Sequence, residues 1–166
     1  MDTKNLIAYS KVYEYLLGEF PSDDTYEDRI LAQKIGYLAQ DCGIYLGEMN
    51  YFWHKRGPYS RSLASALRYF QQNRECFIQE CSNVKIYYNI LPKLDLIKSI
   101  IEARTKDCPE IIWLEICASL KYLSKESPSD NIDMLSSLLI KKKPFLDFHF
   151  DDIHKSWNIM NSLVTV

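Results

Sequence analysis

NYFWHKRGPYSRSLASALRYFQQNR, residues Asn50–Arg74, contains in one stretch the three local signals that decide the fold. Met49–His54 is aromatic and extended in character and predicts a short strand. Gly57-Pro58-Tyr59-Ser60 predicts a turn. Gly57 precedes a proline, which disfavours the helical region, and glycine takes positive φ at little cost. Pro58 fixes its own φ. Ser60 stands where a hydroxyl can accept from an orphan amide at a helix start. A helix then runs from about Arg61 to Asn73, with Arg61, Ser65, Arg68 and Gln72 on its polar face. Leu63, Ala66, Leu67 and Phe70 form the opposite face, which should enter the core.

Outward from this stretch the pattern is helical. On the N-terminal side, Leu6, Tyr9, Tyr13, Leu16 and Leu17 recur at helical spacing, with Gly18 and Pro21 as the stop. Thr25 and Asp28 form a capping box for a second helix carrying Leu31, Ile35, Leu38 and Cys42, with Gly43 just past its end. On the C-terminal side, Val84–Ile90 alternates and predicts a second strand pairing with the first, ended by Pro92. Three apolar stripes follow: Leu94, Ile97, Ile100 and Ile101; then Ile112, Ile116, Leu120 and Leu123, opened by Pro109; then Ile132, Leu135, Leu138 and Leu139. The third is stopped by Lys141-Lys142-Lys143-Pro144, read as a solvated helix end. A last helix, beginning near Asp151 as its cap, carries Ile153, Trp157 and Met160. The expectation is one mainly α domain over residues 1–166, with a small two- or three-stranded β element in a winged-helix-like arrangement.

The 166 residues, 47% of them hydrophobic, can bury a substantial core, and 5 Gly and 6 Pro argue against disorder. Five cysteines without a C-x-x-C, and no neighbouring histidine pair, speak against a disulfide framework or a zinc centre. The N-terminus lacks a continuous apolar core of signal-peptide type, and no run approaches a membrane span of roughly 18 residues. A cytoplasmic location without membrane involvement is the expectation.

Net charge is -2, so recognition of an anion would have to be local. Lys55, Arg56, Arg61, Arg68 and Arg74 supply five of the 20 basic residues, and no carboxylate lies between Trp53 and Arg74. The rest of the chain holds 15 bases against 22 acids. These cations are either a solvated turn and helix face or a surface for something negative. A helix start adds its own preference for anions, roughly 0.3–1 kcal/mol at a surface. Tyr59, an aromatic ring at the turn framed by cations, is a natural anchor for a protein partner.

Lys34 and Tyr37, then Tyr51 and Trp53, then Gly57, Pro58, Tyr59, Ser60, Leu63 and Leu67 follow a pattern that resembles the YwgA-like and SocA-like antitoxin group, the Panacea superfamily. LEICASLKYLSKES and LLIKKKPF, together with Trp157 in the last helix, are similar to the YwgA-like proteins as well. One departure is the absence of the acidic residue often found on the helix after the turn, where Ser65 and Ala66 stand. The resemblance implies a mostly helical domain that acts by direct contact with a protein, a toxin domain in the antitoxins and a regulatory target elsewhere in the group.

Enzyme constellations are absent from the sequence pattern: no Gly-rich phosphate loop, no G-x-S-x-G and no Cys–His–Asp order. His149 and His154 are five apart, which suits neither H-E-x-x-H nor one helical face, and Asp147, Asp151 and Asp152 read as helix-start carboxylates. No cofactor or metal is expected. The sequence therefore points to a non-enzymatic protein-binding module, antitoxin-like or regulatory, for which a homodimer is allowed. Its contact surface is Trp53, Lys55, Arg56, Gly57, Pro58, Tyr59, Ser60, Arg61 and Arg68. The alternative is a DNA-binding regulator presenting Arg61, Ser65, Arg68 and Gln72 to a duplex.

Overall fold

A computed structural model describes residues 1–127 and 129–164 of the chain. It is mainly helical, with one two-stranded antiparallel sheet. Contacts gather into two compact units, Met1–Lys98 and Ser99–Val166.

The first unit begins with α1 (Thr3–Leu17), capped by the Asp2 carboxylate, which accepts from the Asn5 amide at 2.8 Å. It ends at Gly18, in the left-handed conformation. Helix α2 (Tyr26–Asp41) opens with the expected capping box between Thr25 and Asp28. From Ala32 to Ala39 every residue of α2 is buried, so this helix forms the centre of the unit rather than a one-sided surface helix. The Tyr9 hydroxyl ties α1 to it by donating to the Ala32 carbonyl at 2.7 Å. Gly36 is the point of closest approach: a Cβ there would lie 2.7 Å from both Leu63 Cδ2 and the Tyr51 hydroxyl.

Strands β1 (Phe52–His54) and β2 (Gly57–Tyr59) form a hairpin, paired Phe52 to Tyr59, Trp53 to Pro58 and His54 to Gly57. The reversal therefore sits at Lys55-Arg56, beginning two residues before the expected turn, and Gly57-Pro58-Tyr59 is the returning strand. No non-glycine residue among those described has positive φ, so Gly57, at φ 91°, completes the reversal. Helix α3 (Arg61–Gln72) follows at once, with Leu63, Ala66, Leu67 and Phe70 buried as the pattern predicts.

After Asn73 the chain forms α4 (Arg74–Ser82), a helix the sequence reading missed. Only Phe77 and Cys81 of α4 are buried, too few to make a clear stripe; Phe77 stacks on Phe70 at 5.4 Å between centroids. The strand expected at Val84–Ile90 does not form. Its first residues are irregular and largely exposed, and Tyr88–Ile90 is a single 3-10 turn. The two-residue reversal already gives β1 a neighbour, and the alternation of the later run places only Ile86 and Ile90 in half-buried positions. Pro92 does not terminate a strand; it is the second residue of α5 (Leu91–Glu102), where its missing N–H costs nothing. The division between the two units falls inside α5.

The second unit contains α6 (Glu110–Glu126), α7 (Ile132–Lys142), a 3-10 helix at Pro144–His149 and α8 (Phe150–Val164). Helix α6 is buried continuously from Trp113 to Leu120, with the Trp113 indole donating to the Ile100 carbonyl at 2.9 Å. Ile153, Trp157 and Met160 of α8 are buried, as expected. Two details differ from expectation. Helix α8 starts directly from the 3-10 helix, leaving Asp151 exposed in its first turn. Lys143 is not a solvated end of a lysine run: it is 3% exposed and its Nζ lies 3.3 Å from Oε1 of the fully buried Glu115. Among the described residues, no helix is long and apolar enough to cross a membrane.

Candidate functional site

The hairpin is fixed from below by two polar residues in the middle of buried α2. Gln33 clamps Ser60 twice: its Nε2 donates to the Ser60 carbonyl at 2.9 Å, and its Oε1 accepts from the Ser60 amide at 2.8 Å. Lys34 donates from Nζ to the Pro58 carbonyl at 2.9 Å. Both side chains are nearly inaccessible, and burying an ammonium or an amide is tolerable only with such partners. Ser60 then caps α3, its Oγ accepting from the Leu63 amide at 3.3 Å. One short segment is thus anchored to α2 on one side and starts α3 on the other.

The register puts Phe52, His54 and Tyr59 together on one face of the hairpin. Tyr59 stacks on His54 at 4.8 Å between centroids and meets Phe52 edge-on at 5.7 Å. The Arg61 guanidinium lies over the Phe52 ring at 5.0 Å.

Beside this face, within the first unit, is a cavity of about 290 Å³ lined by residues of α2, the hairpin and α3. Its cationic lining is Arg29, Lys34, Arg56 and Arg68, against one acid, Asp23. Tyr26, His54 and Tyr59 supply aromatic surface. The Arg29 and Arg56 guanidiniums each lie 5.9 Å from the centre of the Tyr26 ring, and Arg29 also donates to the Asp23 carbonyl at 2.8 Å. Cations and aromatic rings around a concave, partly apolar wall suit a carboxylate or phosphate group presented by a larger ligand.

Of the residues expected at the contact surface, Arg56, Gly57, Tyr59 and Arg68 border this cavity. Trp53, Lys55, Pro58, Ser60 and Arg61 do not. Pro58 and Ser60 are buried and act as anchors, and Arg61 is turned to Phe52 while Arg68 faces the cavity. Arg61 lies over the Phe52 ring, which meets Tyr59 edge-on, while Arg56, Tyr59 and Arg68 border the cavity. Sequence reasoning missed Tyr26, Arg29 and Gln33 as parts of the site. The available signal was Gln33-Lys34, two polar residues interrupting an otherwise apolar helical run.

The second unit holds one further group of interest. Cys108, just before α6, His149, at the end of the 3-10 helix, and Asp152, in the first turn of α8, bring three ligand-type atoms within 4.8 Å of one another. His149 Nδ1 lies 3.0 Å from Asp152 Oδ2. Burial and the nearby Asp152 charge push the Cys108 thiol up to about 12. Burial also works against the charged form of Asp152, but hydrogen bonds from His149, Thr105 and Cys108 outweigh it and lower its pKa. His154 does not join them: its Nε2 lies 3.3 Å from Asp133 Oδ1 and its Nδ1 3.1 Å from the Phe150 carbonyl.

No family model, no curated protein and no solved structure matches the chain.

Proposed function

We propose that this chain is a non-enzymatic protein-binding module of antitoxin-like or regulatory type, of the kind the resemblance to YwgA-like and SocA-like Panacea proteins implies. It receives an acidic segment of its partner at the cavity beside the hairpin. The observation that supports this reading is the lining itself: Arg29, Arg56 and Arg68 with Tyr26 and Tyr59, against the single acid Asp23, in a chain of net charge -2. A local positive site in an acidic protein selects for a partner's acidic patch while the overall charge repels polyanions. The anchoring of Ser60 and Pro58 to α2 keeps the hairpin rigid, which limits the ordering cost of association.

The test is capture of a defined partner, the product of the neighbouring reading frame, by the immobilised chain. Substituting Arg56→Glu with Arg68→Glu should weaken capture by at least about tenfold, since truncating anchors at an interface typically costs 2 kcal/mol or more. Tyr59→Ala should act in the same direction. Capture unaltered by all three changes removes this surface as the contact. Tight, salt-sensitive binding to duplex DNA at about 50 mM salt would instead assign the cations to phosphate contacts.

A further inference from the structure

We propose that Cys108, His149 and Asp152 form a binding site for a transition-metal ion of the Zn²⁺ class, with a fourth position open to solvent. The inference rests on donor chemistry and placement in the second unit, and it does not depend on the docking reading above. A thiol, an imidazole and a carboxylate converge with their ligand-type atoms within 4.8 Å of one another. At Zn²⁺ bond lengths of about 2.0–2.3 Å, ligand atoms in a tetrahedron lie about 3.5 Å apart. Side-chain rotation can close the remaining gap.

The donor set discriminates among metals. Ca²⁺ and Mg²⁺ call for all-oxygen shells, whereas thiolate with imidazole and carboxylate suits Zn²⁺ and its neighbours in the first row. Three protein ligands with one open position is an arrangement Zn²⁺ commonly takes. The backbone holds the donors in place from two segments, Cys108 ahead of α6 and His149 with Asp152 where the 3-10 helix runs into α8. The Cys108 carbonyl accepts from Arg104 at 2.6 Å, and the Cys108 amide donates to the Thr105 carbonyl at 2.9 Å. The Thr105 hydroxyl, which bonds the Asp152 carboxylate and accepts from Lys155 Nζ at 3.1 Å, would steady that ligand. The buried thiol forms the floor, while the side chains of His149 and Asp152, 22% and 16% exposed, leave a path for the ion. On binding, the Cys108 proton leaves to solvent and the thiolate takes the metal.

The competing account is a purely structural hub in which Asp152 gathers hydrogen bonds from His149, Thr105 and Cys108. Cobalt separates the two. Exposed Cys76 would take up soft metals by itself, so the full chain is used with Cys76→Ser. After treatment with a chelator it is titrated with Co²⁺ and then with Zn²⁺. The site predicts one equivalent of Co²⁺ with an intense tetrahedral visible spectrum and a thiolate charge-transfer band, both displaced by Zn²⁺. Zn²⁺ should also raise the melting temperature. Cys108→Ser should abolish the charge-transfer band. His149→Gln, at a partly exposed position that spares the core, should weaken Co²⁺ binding by at least about tenfold. Absence of stoichiometric uptake, a weak octahedral spectrum without the charge-transfer band, or undiminished binding by His149→Gln would overturn the site. If Cys108→Ser does not fold, the His149→Gln titration decides alone.

Discussion

Replacing Gln33 by leucine tests whether the hairpin is held in place by α2. The change keeps roughly the same volume but removes both amide bonds to Ser60, at 2.8 and 2.9 Å. The Ser60 carbonyl keeps the Ala64 amide at 3.1 Å, so the group left unmet is the Ser60 N–H. Ser60 is fully buried, so water cannot replace that partner without opening the segment. The unmet N–H costs about 1–3 kcal/mol, and the bond lost at the carbonyl about 0.5–1.5 kcal/mol. The leucine side chain returns about 1–2 kcal/mol through apolar burial. The net expected loss centres on about 1.5 kcal/mol. With a urea dependence of about 2 kcal/mol per molar, the unfolding midpoint should fall by about 0.75 M. Far-ultraviolet circular dichroism in urea gives the midpoint, and hydrogen exchange at the Ser60 amide reports the local opening. Gln33→Glu is the companion. When protonated, its carboxyl can both donate and accept as the amide does; when ionised, it sets an oxygen against the Ser60 carbonyl. Its folded-state pKa is therefore raised, and its deficit relative to the parent should shrink as pH falls from 7 towards 4. A midpoint for Gln33→Leu within about 0.3 M of the parent would refute the clamp as a source of stability.

Three other outcomes follow from single contacts. Gly36→Ala gains about 1 kcal/mol of helix propensity but forces a Cβ to 2.7 Å from Leu63 and Tyr51, an overpacking cost of about 1–3 kcal/mol. The melting temperature should drop by a few degrees rather than rise. Lys143→Met removes the ammonium beside the buried Glu115 and should cost up to about 3–5 kcal/mol, whereas the double change Lys143→Met with Glu115→Leu should recover most of it in a thermal double-mutant cycle. In alkylation at pH 8, exposed Cys76 should react first. Cys117, whose thiol burial pushes up, should stay protected until the protein unfolds, as peptide mass mapping of modified sites will show.

What the sequence determined by itself is local. The Thr25–Asp28 capping box, the Ser60 cap, the stops at Gly18 and Gly43 and the buried face of α3 each depend on residues within a few positions. Their physics is complete within one turn or one helix face, and each formed where the spacing placed it. The β partner was different: Val84–Ile90 has strand composition and Gly57–Tyr59 does not, yet it is Gly57–Tyr59 that pairs with Phe52–His54. The short closure through Lys55-Arg56 costs far less chain entropy than a long one, and it prevailed.

The tertiary structure alone decided the rest. Gln33 meets Ser60 across 27 positions, Lys143 meets Glu115 across 28, and Cys108 lies beside Asp152 from another segment altogether. His149 acquires Cys108 and Asp152 as neighbours, and His154 acquires Asp133. Polar residues on buried helix faces have no periodic signature that names their partners. They are bound by whichever backbone or charge the packing brings within about 3 Å, and only packing sets that distance.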